Sequence, residues 1–172
     1  MIELNIRNKW ITLGGSSYVT DKDENKVFNV KGRIFSFTRK KFINDLEGNT
    51  LYIVRNKFWH LFVKRAFVLD KEGNKVCTVR KKFWSLRSKF FIDDYKDELI
   101  IDGNILTYNF DIRKNGVSIG HVARKISLRD SFVLTCYTKE DEAFLVALVI
   151  AIDNIIDRQR NEADSVSFNS GD

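Results

Sequence analysis

Ten cations in this chain stand at the ends of apolar runs: Arg39, Lys40, Lys41, Arg55, Lys57, Arg80, Lys81, Lys82, Arg124 and Lys125. Two of these groups run directly into aromatic pairs, Phe58-Trp59 and Phe83-Trp84. Ammonium and guanidinium groups brought together bind phosphate and carboxylate oxygens, the first as point charges and the second as bidentate forks. Aromatic rings beside them suit a membrane interface or base stacking. The chemistry on offer is the binding of anions, not the making or breaking of bonds.

Patterns for catalysis or metal binding are weaker. Gly14-Gly15-Ser16-Ser17 has the glycines of a phosphate loop, but no lysine stands in the Walker position and no helix pattern follows, so a loop between strands is expected. Asp21-x-Asp23-x-Asn25 imitates the first half of a calcium loop. Lys26, however, occupies the position that requires glycine, and Gly32 the position of the bidentate glutamate, which leaves a solvated turn. His60 and His121, the two histidines, have no partner at metal-ligand spacing. Gly-x-Ser-x-Gly is absent. These readings predict a protein that is not an enzyme and carries neither metal nor cofactor.

With 172 residues, 44% of them hydrophobic and 13% aromatic, the chain holds one domain's worth of core. A formal net charge of +6 favours polyanionic partners without naming one. Cys77 and Cys136 each sit inside an apolar stretch, as small core residues do, and no cationic-then-apolar leader precedes them. A reducing, cytoplasmic setting is expected, with contact to a membrane only from its surface. Proline is absent, so no stiff linker divides the chain before about residue 160.

The elements that position the cations are legible from a repeat. VRNKFWHL, from Val54 to Leu61, returns as VRKKFWSL, from Val79 to Leu86, shifted by 25 residues. The likeness reaches upstream, where Phe42 to Trp59 aligns with Phe67 to Trp84. Each copy reads apolar run, acidic turn, apolar run, basic turn. Asp45 to Asn49 and Asp70 to Asn74 carry residues that tolerate positive φ and bond their own backbone. Their β-branched and aromatic flanks are too short for helices, so each copy is a β-hairpin. Asp102-Gly103-Asn104 and Asn115-Gly116 predict two further turns, with Leu106, Tyr108, Phe110 and Ile112 on one face between them. A third, fainter copy is read in Asn115 to Leu128. Trp10 to Tyr137 yields about twelve strands, enough to curl and close.

From Asp141 the pattern changes. Ala143 to Ile152 is apolar at every position, with Ile155 and Ile156 following and Thr138-x-x-Asp141 as a capping arrangement. A helix that is apolar all round must be buried all round. Asp153 and Asn154 interrupt it well short of the roughly 20 residues that span a bilayer. A protein cavity is therefore required, and about eleven or twelve strands can surround a helix. The prediction is a closed, mainly β antiparallel barrel of about twelve strands around a helix at about 141–159, in a single domain over 1–160. A flexible tail is expected over 161–172.

Tyr18-Val19-x-Asp21, Phe28-x-Val30-x-Gly32, Asp45-x-x-Gly48 and Asp70-x-x-Gly73 form a series that Val79-Arg80-Lys81-Lys82, Val122-Ala123-Arg124-Lys125 and Asp141-Glu142-Ala143-Phe144 continue. In these motifs, and in a barrel closed on a C-terminal apolar helix, the sequence resembles the LURP-one-related family of the tubby C-terminal-like fold, whose relatives include the phospholipid scramblases. The resemblance implies a fold associated with phosphoinositide-rich membranes. The scramblases' long proline-rich N-terminal region has no counterpart here, which argues against lipid translocation.

Hairpins reverse direction at each turn, so alternate turns lie at opposite barrel ends. Asp45 to Asn49 and Asp70 to Asn74 share one end, and the ten cations are expected to gather as a rim at the other. The first function this supports is binding of anionic phospholipid head groups or phosphorylated ligands; the second is a structural or protein-interaction scaffold, its partner unspecified. Nucleic-acid binding ranks third, because it needs the same rim with accessible aromatics.

Overall fold

The computed structural model describes residues 1–7, 15–32, 38, 40–57, 64–81, 90–125, 131–138 and 142–168, with side chains in the helix as far as Asp157. Twelve strands close into one antiparallel barrel in chain order: β1 (Ile2–Arg7), β2 (Ser16–Thr20), β3 (Lys26–Gly32), β4 (Lys41–Asn44), β5 (Thr50–Asn56) and β6 (Arg65–Asp70) form its first half. The second half is β7 (Lys75–Lys81), β8 (Phe90–Asp93), β9 (Leu99–Asn104), β10 (Asn109–Lys114), β11 (Val117–Arg124) and β12 (Ser131–Cys136), and β1 pairs with both β12 and β2 to close the ring. A helix follows, α1 (Glu142–Phe168).

The repeat is a hairpin unit, and the structure extends it to a third hairpin at β2–β3. In Asp21–Asn25, Asp45–Asn49 and Asp70–Asn74 the aspartate Oδ1 accepts the asparagine N–H at 2.9, 2.7 and 2.7 Å. Each asparagine returns its side-chain N–H to Oδ2 at 3.0, 2.8 and 3.0 Å. A bulge follows the same rule in all three, just before the turn, where Thr20, Asn44 and Leu69 face Lys26, Thr50 and Lys75. The residue before each asparagine has positive φ: Glu24 at 64°, Gly48 at 93° and Gly73 at 91°. This third unit, not Asn115 to Leu128, is the closer copy. Asn115 and Gly116 instead make a tight turn with φ of 50° and 80°.

The helix is buried on every side. From Phe144 to Ile156 no residue exceeds 3% exposure, as an all-apolar helix inside a barrel requires. Fully burying each Leu, Ile or Val there contributes about 1.5–3 kcal/mol. α1 packs against β4 to β7 and β12. On the opposite wall large side chains occupy the interior, among them Phe90, Ile105 and Phe110. Phe144 stacks on Tyr95 with ring centroids 4.7 Å apart.

Three boundaries differ from the sequence reading. The first strand, Ile2–Arg7, precedes Trp10, and its inward Leu4 and Ile6 are fully buried. Asp102-Gly103-Asn104 is strand, not turn; the reversal falls at 105–108, leaving Leu106 45% exposed and Tyr108 inward. Gly103 permits this because it lies opposite Phe110 with φ of 130°, where a Cβ would meet the Asn109 carbonyl oxygen at 2.6 Å. The helix runs past Gln159 to Phe168. No glycine or proline interrupts the chain between Gln159 and Phe168. The last four residues of the expected tail lie outside the described residues, as does Asp141 of the capping pattern.

Candidate functional site at the basic end of the barrel

Strand direction sorts the charges. The turns at 21–25, 45–49, 70–74 and 94–98 lie at one end, and the far ends of β3, β5, β7, β9 and β11 lie at the other. The acidic end also receives the start of α1, since β12 runs back to it. The positive pole of the helix dipole thus faces carboxylates.

Within the basic end, alternation decides which cations face out. On β5, Val54 and Asn56 are buried inward, so Arg55 and Lys57 are exposed. The Arg55 guanidinium carbon lies 5.4 Å from the centre of the Phe67 ring. Adjacent strand ends add Lys64 and Arg65: the Lys57 N–H donates to the Arg65 carbonyl at 3.1 Å, and the Lys81 N–H to the Lys64 carbonyl at 3.2 Å. Burial, and secondarily the Lys64 ammonium, holds the Lys81 ammonium below the usual lysine range. Positive charge is crowded here, which is the electrostatic condition for holding an anion. The sequence reading passed over Lys64-Arg65, although their place opposite the Asp70 turn assigns them to this end.

Other candidates are placed differently. Lys40 is half-buried with Nζ 5.0 Å from the Phe42 ring centre. Arg80 forms an ion pair with Asp93 and lies 4.7 Å from the Phe91 ring centre, so a carboxylate already offsets its charge. The hydrogen bond to Asp93 raises the Arg80 pKa above its ordinary value. Arg124 is exposed, and Lys125 Nζ donates to Asn5 Oδ1 at 3.0 Å. Both belong to the β11, β12 and β1 side of the ring, across the barrel from β5 to β7. Among the described residues the candidates fall in two sectors of the ring. Arg39 and Lys82 lie outside the described residues, as do the pairs Phe58-Trp59 and Phe83-Trp84 and the residue His60.

Lys41 does not belong to the rim. Ile43 is inward, and two residues along a strand share a face, so Lys41 points into the barrel and is 3% exposed. Its Nζ stands 3.9 Å from Asp153 Oδ2 on the helix. Asp153 Oδ1 accepts the Tyr108 hydroxyl at 2.6 Å, and the Tyr108 ring stacks on Phe132 at 5.1 Å. An ionic cluster thus ties the helix to β4 and to the turn that precedes β10. Sequence reasoning used Asp153 only to argue against a membrane span; a charge within a buried helix was itself the signal that an opposite charge must face it.

The remaining motifs serve structure. Gly15 leads directly into β2. Asp21 is occupied by its own turn, with Oδ1 accepting the N–H groups of Asp23 and Asn25. His121 Nδ1 lies 3.0 Å from Asp111 Oδ1 on the outer wall. Burial pushes the Cys77 thiol up to about 12, which makes it unreactive. Among the described residues no group of three metal-ligating side chains is placed to hold an ion, and no helix is long and apolar enough to cross a membrane.

The chain is similar to known proteins over most of its length. The family model for LURP-one-related proteins matches residues 2–153. The uncharacterised protein YxjI of Bacillus subtilis is 28% identical over 164 residues, which cover 95% of this chain and 99% of YxjI. An X-ray structure of an Arabidopsis thaliana protein superposes with a TM-score of 0.62 at 21% identity, covering 90% of each chain, a likeness of fold alone.

Proposed function

The chain belongs to the LURP-one-related family, and from that premise we propose that it is a non-enzymatic, tubby-like binding domain that holds anionic phospholipid head groups at one end of its barrel. Phosphorylated ligands share the same chemistry. In this reading the protein works at the cytoplasmic face of a membrane without inserting a helix.

The observation that carries the reading is the crowding of cations at the adjoining ends of β5, β6 and β7. Arg55, Lys57 and Arg65 are exposed there, and Lys64 stands beside Lys81 with the Lys81 pKa depressed. A bound phosphate would relieve that repulsion. The carboxylates of the turns at 21–25, 45–49 and 70–74 are held at the far end, away from Arg55, Lys57 and Arg65.

The test is co-sedimentation with phosphatidylcholine vesicles, with and without phosphatidylserine, at moderate salt. Each cation near an anionic surface contributes about 1 kcal/mol, so Arg55→Gln/Lys57→Gln/Lys64→Gln should weaken association by roughly two orders of magnitude. Lys22→Gln/Lys26→Gln/Lys71→Gln, at the acidic end, should leave it almost unchanged. Equal loss in both variants, or indifference of the wild type to phosphatidylserine, would overturn the proposal and favour the scaffold reading. Inositol phosphate in solution, competing without vesicles, separates a soluble phosphorylated ligand from a lipid surface.

A further inference from the structure

We propose that Asn115 is a site of spontaneous deamidation, and that its conversion to aspartate or isoaspartate releases the turn that covers the start of α1. The proposal is independent of the basic end and uses none of its residues. Of the asparagines in the chain, Asn115 alone is followed by glycine. That neighbour matters because the reaction begins at the next backbone nitrogen, which a residue without a side chain leaves unshielded. Asn115 and Gly116 are the exposed central residues of the β10–β11 turn, which Lys114 and Val117 close as a pair. Water reaches both.

The Asn115 side chain is a latch between two turns. Its Oδ1 accepts the Glu98 N–H at 3.0 Å, and its Nδ2 donates to Asp97 Oδ1 at 3.1 Å. The Asn115 backbone N–H adds a third bond, to the Glu98 carbonyl at 3.0 Å. The turn so held, 94–98, is tied on its other flank through Asp94, which accepts the Thr78 hydroxyl at 2.8 Å and pairs with the Lys75 ammonium at 2.9 Å. Between the two tethers stands Tyr95, half-buried, with its ring stacked on Phe144 near the start of α1. Asn115 thus holds one side of a cover over the apolar helix.

Both ends of the amide are engaged with the neighbouring turn, so the reaction proceeds when the latch opens. The Gly116 nitrogen then gives up its proton and attacks Asn115 Cγ. The N–Cγ bond forms, the Cγ–Nδ2 bond breaks, and Nδ2 takes a proton and leaves as ammonia. Water adds to one carbonyl of the resulting succinimide and opens it, to aspartate if the new N–Cγ bond breaks and to isoaspartate if the original peptide bond does. No oxidant or cofactor enters. Either product puts a carboxylate where the amide stood, so the donor to Asp97 is lost and two like charges face each other. Isoaspartate also adds a methylene to the backbone of a turn held at φ of 50° and 80°. The amide is not regenerated, so the converted fraction rises with the age of the chain.

The test ages the full chain in neutral buffer at physiological temperature and follows residue 115 by peptide mass spectrometry, with amide exchange of 94–98 measured in parallel. Conversion should appear at Asn115, and more slowly than in the urea-unfolded chain, where no latch has to open. Asp97→Ala removes the acceptor of one latch bond and should speed conversion about threefold to tenfold, the factor by which a single hydrogen bond shifts such an opening. Asn115→Asp has the structure of the aspartate product and should speed amide exchange at 94–98. Asn115→Asp/Asp97→Asn restores a donor and acceptor pair and should return that exchange to the wild-type rate, a rescue that mere damage to the turn would not show. No conversion in the folded wild type while the unfolded chain reacts would overturn the site. Equal rates in folded and unfolded chains, or an Asp97→Ala chain no faster than the wild type, would overturn the latch. If residue 115 converts and exchange at 94–98 is unchanged, release of the turn is refuted. Circular dichroism of each variant separates local loosening from lost fold.

Discussion

Replacing Lys41 with methionine removes the cation that stands 3.9 Å from Asp153, in a pair whose side chains are 3% and 1% exposed. With an effective dielectric constant of about 20, two unit charges at that separation attract by about 4 kcal/mol. Measured losses on removing one partner of a buried pair, about 3–5 kcal/mol, agree, because the surviving charge stays desolvated. Tyr108→Phe keeps the ring stacked on Phe132 but deletes the hydroxyl that Asp153 accepts at 2.6 Å, and should cost about 1.5–3 kcal/mol. Lys41→Met/Asp153→Leu removes both charges and should be more stable than Lys41→Met alone, a coupling of the sign expected for groups in contact. Urea unfolding followed by tryptophan fluorescence would measure all three. For a chain of this size Lys41→Met should also lower Tm by about 10 °C. A loss below about 1 kcal/mol in Lys41→Met, or additive behaviour in the double variant, would refute the cluster as a stabilising tie between helix and wall.

Three further outcomes follow from the fold. Leu148→Asp places a carboxylate at a fully buried position on the helix, at a cost of several kcal/mol, so the variant should be insoluble or melt far below the wild type; an unchanged melt would mean that the helix is not enclosed. Glu24→Gly should raise the urea midpoint by about 0.5–1 kcal/mol of stability, because Glu24 holds φ of 64° where Gly48 and Gly73 occupy the equivalent turns; a lower midpoint would refute the strain argument. Asp21 and Asp45 are held below the usual carboxylate range, foremost by the side chains of Asn25 and Asn49. A folded pKa below the unfolded one gives stability that is complete above the unfolded value near 4 and is lost as pH falls through the folded value. Asn25→Ala/Asn49→Ala should therefore be less stable at neutral pH but lose less on acidification below about pH 4, as urea midpoints across pH would report.

Strand polarity, the apolar helix and the turns could be read along the chain because each is encoded over a few residues. Asp-x-x-x-Asn closes its own turn through its own side chains, and a run such as Ala143 to Ile152 can be satisfied only by burial. The errors lie where a local signal has two solutions. Asp102-Gly103-Asn104 has the composition of a turn, but glycine is equally demanded where two strands approach too closely for a Cβ, and only the register with β10 distinguishes them.

By itself the sequence determined that acidic turns and basic strand ends fall at opposite ends of a barrel, since antiparallel connection in chain order leaves no other arrangement. It determined too that the helix must lie inside. Tertiary structure decided which of the cations remain at the surface. Lys40 and Lys41 are neighbours in the chain, yet one lies beside the Phe42 ring and the other faces Asp153 inside the barrel. Strand alternation fixes only that neighbours face opposite ways. Which face turns inward is set by pairing across the whole ring, and the charge awaiting Lys41 there comes from a helix that the chain adds only after the barrel is complete.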